Sequence, residues 1–135
     1  IIQTLEAKTL AKQSIYTDKA PKPLAGYSQG VIANGFVFVA GQVPFDPMTN
    51  DVVGATAQEH TRQCLKNVQA ILEAAGSSLE KIVSATFLLA DPNDFEGMNE
   101  EWKKWFPNDP PARQGAKLHM QHKGMKVAIA VIAEA

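Results

Sequence analysis

The feature that most constrains this chain is its C-terminal run Val127 to Ala133, in which no side chain is polar. The run is far shorter than the roughly 18 residues that a membrane-spanning helix needs. We therefore predict a last β-strand over Met125 to Ala133, with apolar side chains on both faces. Both faces of such a strand must be shielded from water, so one layer of cover does not suffice.

Two segments have the periodicity of amphipathic helices that can supply one layer of cover. The first begins with the capping-box pattern Thr56 to Glu59 and stops at Gly76, and the second follows the predicted N-cap Asp94 and ends before Pro107. Cys64 lies on the apolar stripe of the first helix, where a buried core thiol is favoured over a nucleophile. The aromatic stripe of the second helix is also interpreted as core.

The remaining apolar runs predict strands on either side of these helices. Gly30 to Ala33 and Phe36 to Ala40 flank Asn34-Gly35, a strong two-residue hairpin signal, and Ile82 to Ala90 lies between the helices. A further extended stretch runs from Ala112 through Leu118 towards a turn near Lys123-Gly124.

The predicted order is strand, strand, helix, strand, helix, strand, strand, which describes an α+β domain over residues 14–135 after an N-terminal arm, residues 1–13. Two helices cover one face of the sheet, so self-association is the simplest way to cover the other.

Composition excludes several classes of protein. The 135 residues carry 13 Lys and Arg against 14 Asp and Glu, a net charge of −1 that disfavours a strongly basic nucleic-acid binder. A single cysteine and the absence of Cys/His clusters exclude a disulfide scaffold and a structural zinc site. No membrane span or secretory signal is visible, so we expect a cytoplasmic or mitochondrial protein, with Ile1 marking a processed or trimmed start.

Nearly everything after residue 16 resembles the Rid family, also called the YjgF, UK114 or L-PSP family. The matching segments occur in family order: Lys19-Ala20-Pro21, Gly26-Tyr27-Ser28-Gln29, Asn34 to Val39, Gly41-Gln42-Val43-Pro44 with Asp46-Pro47, Thr61-Arg62-Gln63, Asn67-Val68, Ile71 to Leu79, Asn93-Asp94-Phe95, Asn99 and Pro110-Pro111-Ala112-Arg113. The resemblance implies a chorismate-mutase-like α+β fold, a mixed sheet covered by two helices. It also implies a homotrimer with a central barrel and active sites in the clefts between subunits.

The family resemblance also implies an activity, the hydrolysis of reactive enamines and imines to a 2-keto acid and ammonia without a metal or organic cofactor. Arg113 matches the carboxylate-binding arginine, Gly41 the glycine whose N–H helps hold the carboxylate, and Tyr27 the tyrosine of the cleft. Phe95 and Asn99 match positions that shape the same pocket. Arginine suits this role because its planar fork binds a carboxylate with two hydrogen bonds.

Three polar positions of the family are changed to small residues. Ala40 replaces the usual Ser or Thr, Gly115 the usual Cys two residues after the arginine, with Gln114 in place of the usual Ser, and Ala128 the acid of the last strand. We count Gly115 and Ala128 with the substrate-binding positions and expect an enlarged, more apolar pocket for a bulkier carboxylate.

No other residue is an obvious replacement for the missing acid. Glu134 lies six residues beyond Ala128, about 20 Å along a strand. His119 is equally far from Arg113, so it or His122 would act only from a neighbouring subunit. Solvent-facing histidines on a loop are the simpler interpretation.

Three functions remain open. The first is an enamine or imine deaminase, or a diverged reaction on a bulkier carboxylate, and the second is a non-catalytic trimer that binds a small carboxylate. The third is an endoribonuclease or translation inhibitor, disfavoured by the charge, although Lys117, Lys123 and Lys126 could form a local basic rim.

Overall fold

The computed structural model describes residues 11–24, 26–118 and 124–135, which form a two-layer α+β domain. Its elements are β1 (Gln13–Ile15), β2 (Gly30–Ala33), β3 (Phe36–Gln42), α1 (Ala57–Ala74), β4 (Ile82–Leu89), α2 (Phe95–Trp105), β5 (Ala112–Lys117) and β6 (Val127–Glu134). The strands form one mixed sheet in the order β1-β2-β3-β6-β4-β5, in which only β4 and β5 are parallel neighbours. The predicted fold class is confirmed.

The local signals act as predicted at the hairpin and at α1. Asn34 and Gly35 both have positive φ, 52° and 84°, which is the backbone that a two-residue turn between twisted strands requires. The Thr56 hydroxyl oxygen accepts a hydrogen bond from the Glu59 N–H and caps α1, and the Glu59 carboxylate accepts one from the Thr56 N–H. Cys64 is fully buried, which raises its pKa and confirms a core thiol.

Three local expectations are corrected. The sheet has a sixth strand, because Gln13 to Ile15 pair with β2. Asp94 is at the N-cap of α2 but makes no side-chain capping bond; its carboxylate lies 3.9 Å from Lys126 Nζ instead. β6 begins at Val127 rather than Met125, because the Lys126 N–H bonds the His60 ring instead of a strand.

The two faces of β6 have different surroundings. Val127, Ile129, Val131 and Ala133 are buried in the core beneath the two helices. On the other face, neighbouring large side chains remain partly exposed, with Phe36 at 38% and Phe38 at 43%. The expected uncovered sheet face is therefore present in the single chain. Among the described residues, no helix is long and apolar enough to span a membrane.

The two helices are joined by an ion pair that involves a buried carboxylate. Arg62 of α1 donates from Nε and Nη2 to the two oxygens of Glu101 in α2, at 3.1 and 3.0 Å. Trp105 Nε1 donates to the same carboxylate at 2.9 Å. The bonds from Arg62 hold the pKa of Glu101 below its ordinary value of 4.5. The ionised carboxylate therefore stabilises the packing of α1 against α2.

We predict that Glu101→Gln lowers the free energy of unfolding at pH 7 by about 1 to 3 kcal/mol, because it removes charge-assisted hydrogen bonds from a buried site. Because the pKa of Glu101 is lower in the folded than in the unfolded state, its ionisation stabilises the fold at pH values above the unfolded-state pKa. This stabilisation is lost as the pH falls through the folded-state pKa. The difference between variant and wild type should therefore shrink below about pH 4.5.

Urea unfolding at pH 7 and at pH 3 to 4 measures this difference. Glu100→Gln makes the same change at an exposed neighbouring position and should leave stability almost unchanged. Equal losses for the two variants at pH 7 would contradict the role given to the buried pair.

Candidate functional site

Arg113 lies on the edge strand β5, on the face of the sheet that the helices cover. It pairs with Ala85 of β4, which in turn pairs with Val131, and both are buried under the helices. Because side chains alternate along a strand, Arg113 and Gly115 share this face, whereas Gln114 points to the open face and bonds Thr86. The edge position places the arginine at the boundary between core and solvent.

Aromatic rings surround the Arg113 guanidinium on several sides. Its central carbon lies 5.1 Å from the centre of the Phe87 ring, 5.6 Å from that of Phe95 and 5.2 Å from the Trp102 ring. Asn99 accepts a 2.7 Å hydrogen bond from Nη1. The rings attract the cation through their negative faces and fix its plane, and Asn99 fixes its rotation.

The charge of Arg113 is not neutralised by an acid in the described part of the chain. The ion pairs found there join Arg62 and Lys104 to Glu101, and Lys126 to Asp94. Partial burial lowers the pKa of Arg113, yet a guanidinium stays protonated at neutral pH. A partly desolvated cation without an acidic partner attracts anions, and the fork geometry of a guanidinium is complementary to a carboxylate.

The Phe87 ring occupies the space beside Gly115. The two residues are neighbours across the β4–β5 pair. A Cβ atom built on Gly115 would overlap the ring and lie 2.7 Å from Cε2, which no relaxed structure tolerates. The change from the family's cysteine to glycine has therefore not opened an empty space here.

A groove of about 630 Å³ lies beside this cluster. Its lining residues are Phe87, Leu89, Ala90, Asp91, Pro92, Phe95, Gly115, Ala116 and Lys117. Phe87 and Phe95 thus contact the guanidinium and also face the groove. Most of the lining side chains are apolar.

A second group of the predicted site residues lies elsewhere in the chain. Gly41 is exposed at the irregular end of β3, and β3 is separated from β5 by β6 and β4, roughly 14 Å. Tyr27 is half-exposed in the segment before β2, one strand further away. Within one chain, neither residue lies beside Arg113.

Ala128 belongs with this second group and lies on the open face of the sheet. It pairs with Leu88, and it alternates along β6 with Val127 and Ile129, whose side chains face the helices. It is buried in a small apolar cluster with Leu118 and Met125, against which Val43, Phe45 and Leu88 pack. The structure therefore brings together Arg113, Asn99, Phe95 and Gly115, whereas Gly41 and Ala128 lie on the neighbouring strands β3 and β6, away from them.

The sequence and the fold match a known family. The family model described as Endoribonuclease L-PSP matches residues 17–135. This chain is a member of the Rid, or L-PSP, family. It is 42% identical over 123 residues to a RutC family protein of Saccharolobus solfataricus, covering 91% of this chain and 98% of the relative.

Two further comparisons agree with this family. The chain is 36% identical over 125 residues to the human 2-iminobutanoate/2-iminopropanoate deaminase, covering 93% of this chain and 91% of the relative. The crystal structure of the Rid-family protein YyfA from Yersinia pestis, described as of unknown function, superposes with a TM-score of 0.87 at 36% identity. That match covers 93% of this chain and all of the other. The relatives support a deaminase-type function at a coarse level.

The expectation of an enlarged pocket in this Rid-family chain is not met at Gly115, where the Phe87 ring occupies the position that a Cβ would take. Ala128 is buried in the apolar cluster with Leu118 and Met125, and there the size of the pocket stays a prediction. The part of the expectation that concerns apolar surroundings agrees with the structure at both places.

Sequence analysis missed Phe87 and assigned Trp102 to the core alone. The signal that could have identified Phe87 is that its neighbour on the adjacent strand is a glycine, Gly115. This pairing can be recognised only once the β4–β5 register is known. His119, His122 and Lys123 lie outside the described residues, and their predicted roles stay predictions. Glu134 is exposed at the far end of β6. Among the described residues, no group of three or more His, Cys, Asp or Glu could hold a metal ion.

The loop that follows Gly41 is held by two amides of α1. Asn67 donates from Nδ2 to the carbonyls of Val43 and Phe45, both at 3.0 Å, and Gln63 donates to Phe45 at 3.2 Å. His60 accepts the Lys126 N–H at Nδ1, so Nε2 carries the proton donated to the Gly54 carbonyl at 3.0 Å. Within the family motif Thr61-Arg62-Gln63 and Asn67, Gln63 and Asn67 thus hold the loop after Gly41, whereas Arg62 joins the two helices.

We predict that Asn67→Ala lowers the free energy of unfolding by about 1 to 3 kcal/mol, because two part-buried hydrogen bonds between the buried Asn67 amide and the loop are lost. Hydrogen exchange should also accelerate in residues 46–53, whose backbone bonds depend on the same loop. Lys66→Ala on the exposed side of α1 is the control and should change neither quantity. Unchanged exchange in Asn67→Ala would contradict this role.

Proposed function

We propose that this Rid-family protein hydrolyses the imine or enamine form of a 2-amino acid, with release of a 2-keto acid and ammonia. The observation that carries the proposal is the Arg113 guanidinium, which is caged by aromatic rings, oriented by Asn99 and has no acidic partner in the described chain. A 2-imino acid presents a carboxylate to this fork and places its C=N carbon beside it. The human relative's name, 2-iminobutanoate/2-iminopropanoate deaminase, agrees with this substrate class.

The proposed reaction needs water and no other reactant. Water adds to the C=N carbon, the nitrogen takes a proton, and the resulting carbinolamine expels ammonia as the C=O bond forms. Arg113 binds the carboxylate and so fixes the position of the electrophilic carbon. Among the described residues, the side chains in contact with Arg113 are an amide and three aromatic rings, so protons would move through water and the substrate's own nitrogen.

The proposed active site lies between subunits of a homotrimer. The Arg113 group and the group around Gly41 are too far apart to form one pocket within a chain. A rotational arrangement brings the first group of one subunit to the second group of its neighbour. The open face with Phe36, Phe38 and Ile132 supplies the apolar area that such contact requires.

The same contacts favour a second candidate, a trimer that binds a small carboxylate without turnover. No carboxylate or imidazole contacts Arg113 among the described residues, and the acid of the last strand is replaced by Ala128. Binding depends on the guanidinium alone, whereas hydrolysis also requires proton transfer. Measuring binding and turnover separately distinguishes the two candidates.

An endoribonuclease function, which the name of the family model suggests, is not supported by the charges. The net charge is −1, and Lys126 of the expected basic rim is close to Asp94. Lys117 lines the groove beside Arg113 rather than a broad basic surface.

We predict that Arg113→Lys lowers kcat/KM for 2-iminobutanoate by about 10- to 100-fold, because an ammonium cannot form the two parallel hydrogen bonds of a guanidinium. Asn99→Asp should have a similar or larger effect, because its carboxylate would pair with Arg113 and compete with the substrate. The assay is the rate of 2-oxobutanoate formation in a dehydratase reaction that releases the imine.

Asn108→Asp is the matched control, since it makes the same amide-to-acid change at an exposed site beyond the end of α2 and should retain activity. Full activity in both Arg113→Lys and Asn99→Asp would show that Arg113 does not bind the substrate. A wild type no faster than buffer would reject the deaminase. If the wild type did not hydrolyse the imine but bound 2-oxobutanoate, and Arg113→Lys weakened that binding, the carboxylate-binding function would replace the deaminase.

We predict that Phe38→Glu converts the trimer to monomers and abolishes activity, because it places a charge at the centre of the open sheet face. Sedimentation velocity measures the oligomeric state. Met48→Glu changes a residue that is 89% exposed on a loop and should remain trimeric. A trimeric, active Phe38→Glu variant would contradict an interface on this face.

A further inference from the structure

We propose that Phe87 and Gly115 are a matched pair that makes the site selective for carboxylates with a hydrocarbon chain. The inference rests on the proposed function for the position of the carboxylate at Arg113. It adds a determinant of specificity, the Phe87 ring, which occupies the space of a side chain at position 115 and lines the groove.

The pair is matched because the ring and a side chain at position 115 exclude each other. The tip of the Phe87 ring occupies the position that a Cβ of Gly115 would take, and such a Cβ would overlap Cζ and both Cε atoms. Gly115 has no positive φ, so its backbone conformation does not require glycine. The close approach of the ring is therefore what requires it.

The ring is held in place by more than the glycine. Its centre lies 5.7 Å from that of Phe95, with an angle of 52° between the rings, and 5.1 Å from the central guanidinium carbon of Arg113. Such tilted aromatic pairs and cation contacts fix the orientation of a ring. Phe87 thus links the cation to the groove.

The chemistry of the groove defines the ligand. A ligand whose carboxylate is bound by Arg113 extends its carbon chain along Phe87 and Phe95 into the groove of about 630 Å³. Leu89, Ala90, Pro92 and Ala116 continue this apolar lining. Asp91 and Lys117 are the charged residues of the lining. Hydroxyl or amide groups on a chain that lies against the apolar side chains would lose water without gaining a partner from them. The ligands that fit are 2-imino and 2-oxo acids with aliphatic or aromatic side chains.

Calorimetry with the stable products pyruvate, 2-oxobutanoate and 2-oxopentanoate tests this selectivity without requiring turnover. For the wild type we expect about three- to fourfold tighter binding for each added methylene. Phe87→Ala should reduce this gradient to less than about twofold, because the longer chain loses its wall. Phe87→Leu, which keeps an apolar side chain and better preserves packing, should give an intermediate gradient.

A double-mutant cycle tests the pairing itself. Gly115→Ala should weaken binding of 2-oxopentanoate by about tenfold, because its methyl group displaces the ring. The same substitution in a Phe87→Val background should weaken it by less than about twofold, since the smaller side chain leaves room. Thermal unfolding of each variant should follow the same pattern, with Gly115→Ala destabilising only when Phe87 is present.

Equal affinity for the three 2-oxo acids would overturn the proposed selectivity, and equal effects of Gly115→Ala in both backgrounds would overturn the pairing. A chain-length gradient in a protein that does not hydrolyse imines would support this inference and reject the deaminase. Imine hydrolysis by a protein whose affinity does not depend on chain length would support the deaminase and overturn the proposed selectivity. Absence of any 2-oxo acid binding would count against the selectivity and against Arg113 as a carboxylate site.

Discussion

The burial of both faces of β6 is the constraint on which the rest of the structure depends. Placing β6 between β3 and β4 satisfies its backbone, and the side chains of one face are buried under α1 and α2. The two helices are then joined by the Arg62–Glu101 pair, whose buried carboxylate is stabilised only while both helices are in place. The other face keeps exposed rings at Phe36 and Phe38, and the proposed trimer covers them.

The edge of the sheet gives the proposed site its chemistry. Arg113 is on the helix-covered face but on the outermost strand, so its guanidinium is partly desolvated and remains accessible. A cation in this position usually has an acidic partner, because burying charge costs free energy. Here aromatic rings and Asn99 offset part of that cost and leave the charge available for a ligand. The proposed affinity for an anion rests on this charge, which has no acidic partner among the described residues.

Two of the small residues that depart from the family pattern have apolar neighbours. The Phe87 ring occupies the position that a Cβ of Gly115 would take, and Ala128 is buried in the cluster with Leu118 and Met125. In the proposed imine hydrolysis the proton steps would pass through water, and the proposed selectivity for apolar substrates rests on the Phe87 ring.

The sequence by itself determined the elements and the family. The Asn34-Gly35 turn, the Thr56–Glu59 capping box and the two-sided apolar last strand are local signals, and local signals act through dihedral preferences and periodicity that need no knowledge of the fold. Motifs also pointed to Arg113 and Asn99, which the structure joins by a hydrogen bond. Only the tertiary structure decided which side chains share a space. The pairing of Phe87 with Gly115, the separation of Ala128 from Arg113 and the strand formed by Gln13 to Ile15 all depend on strand register and order, because those contacts join residues distant in sequence.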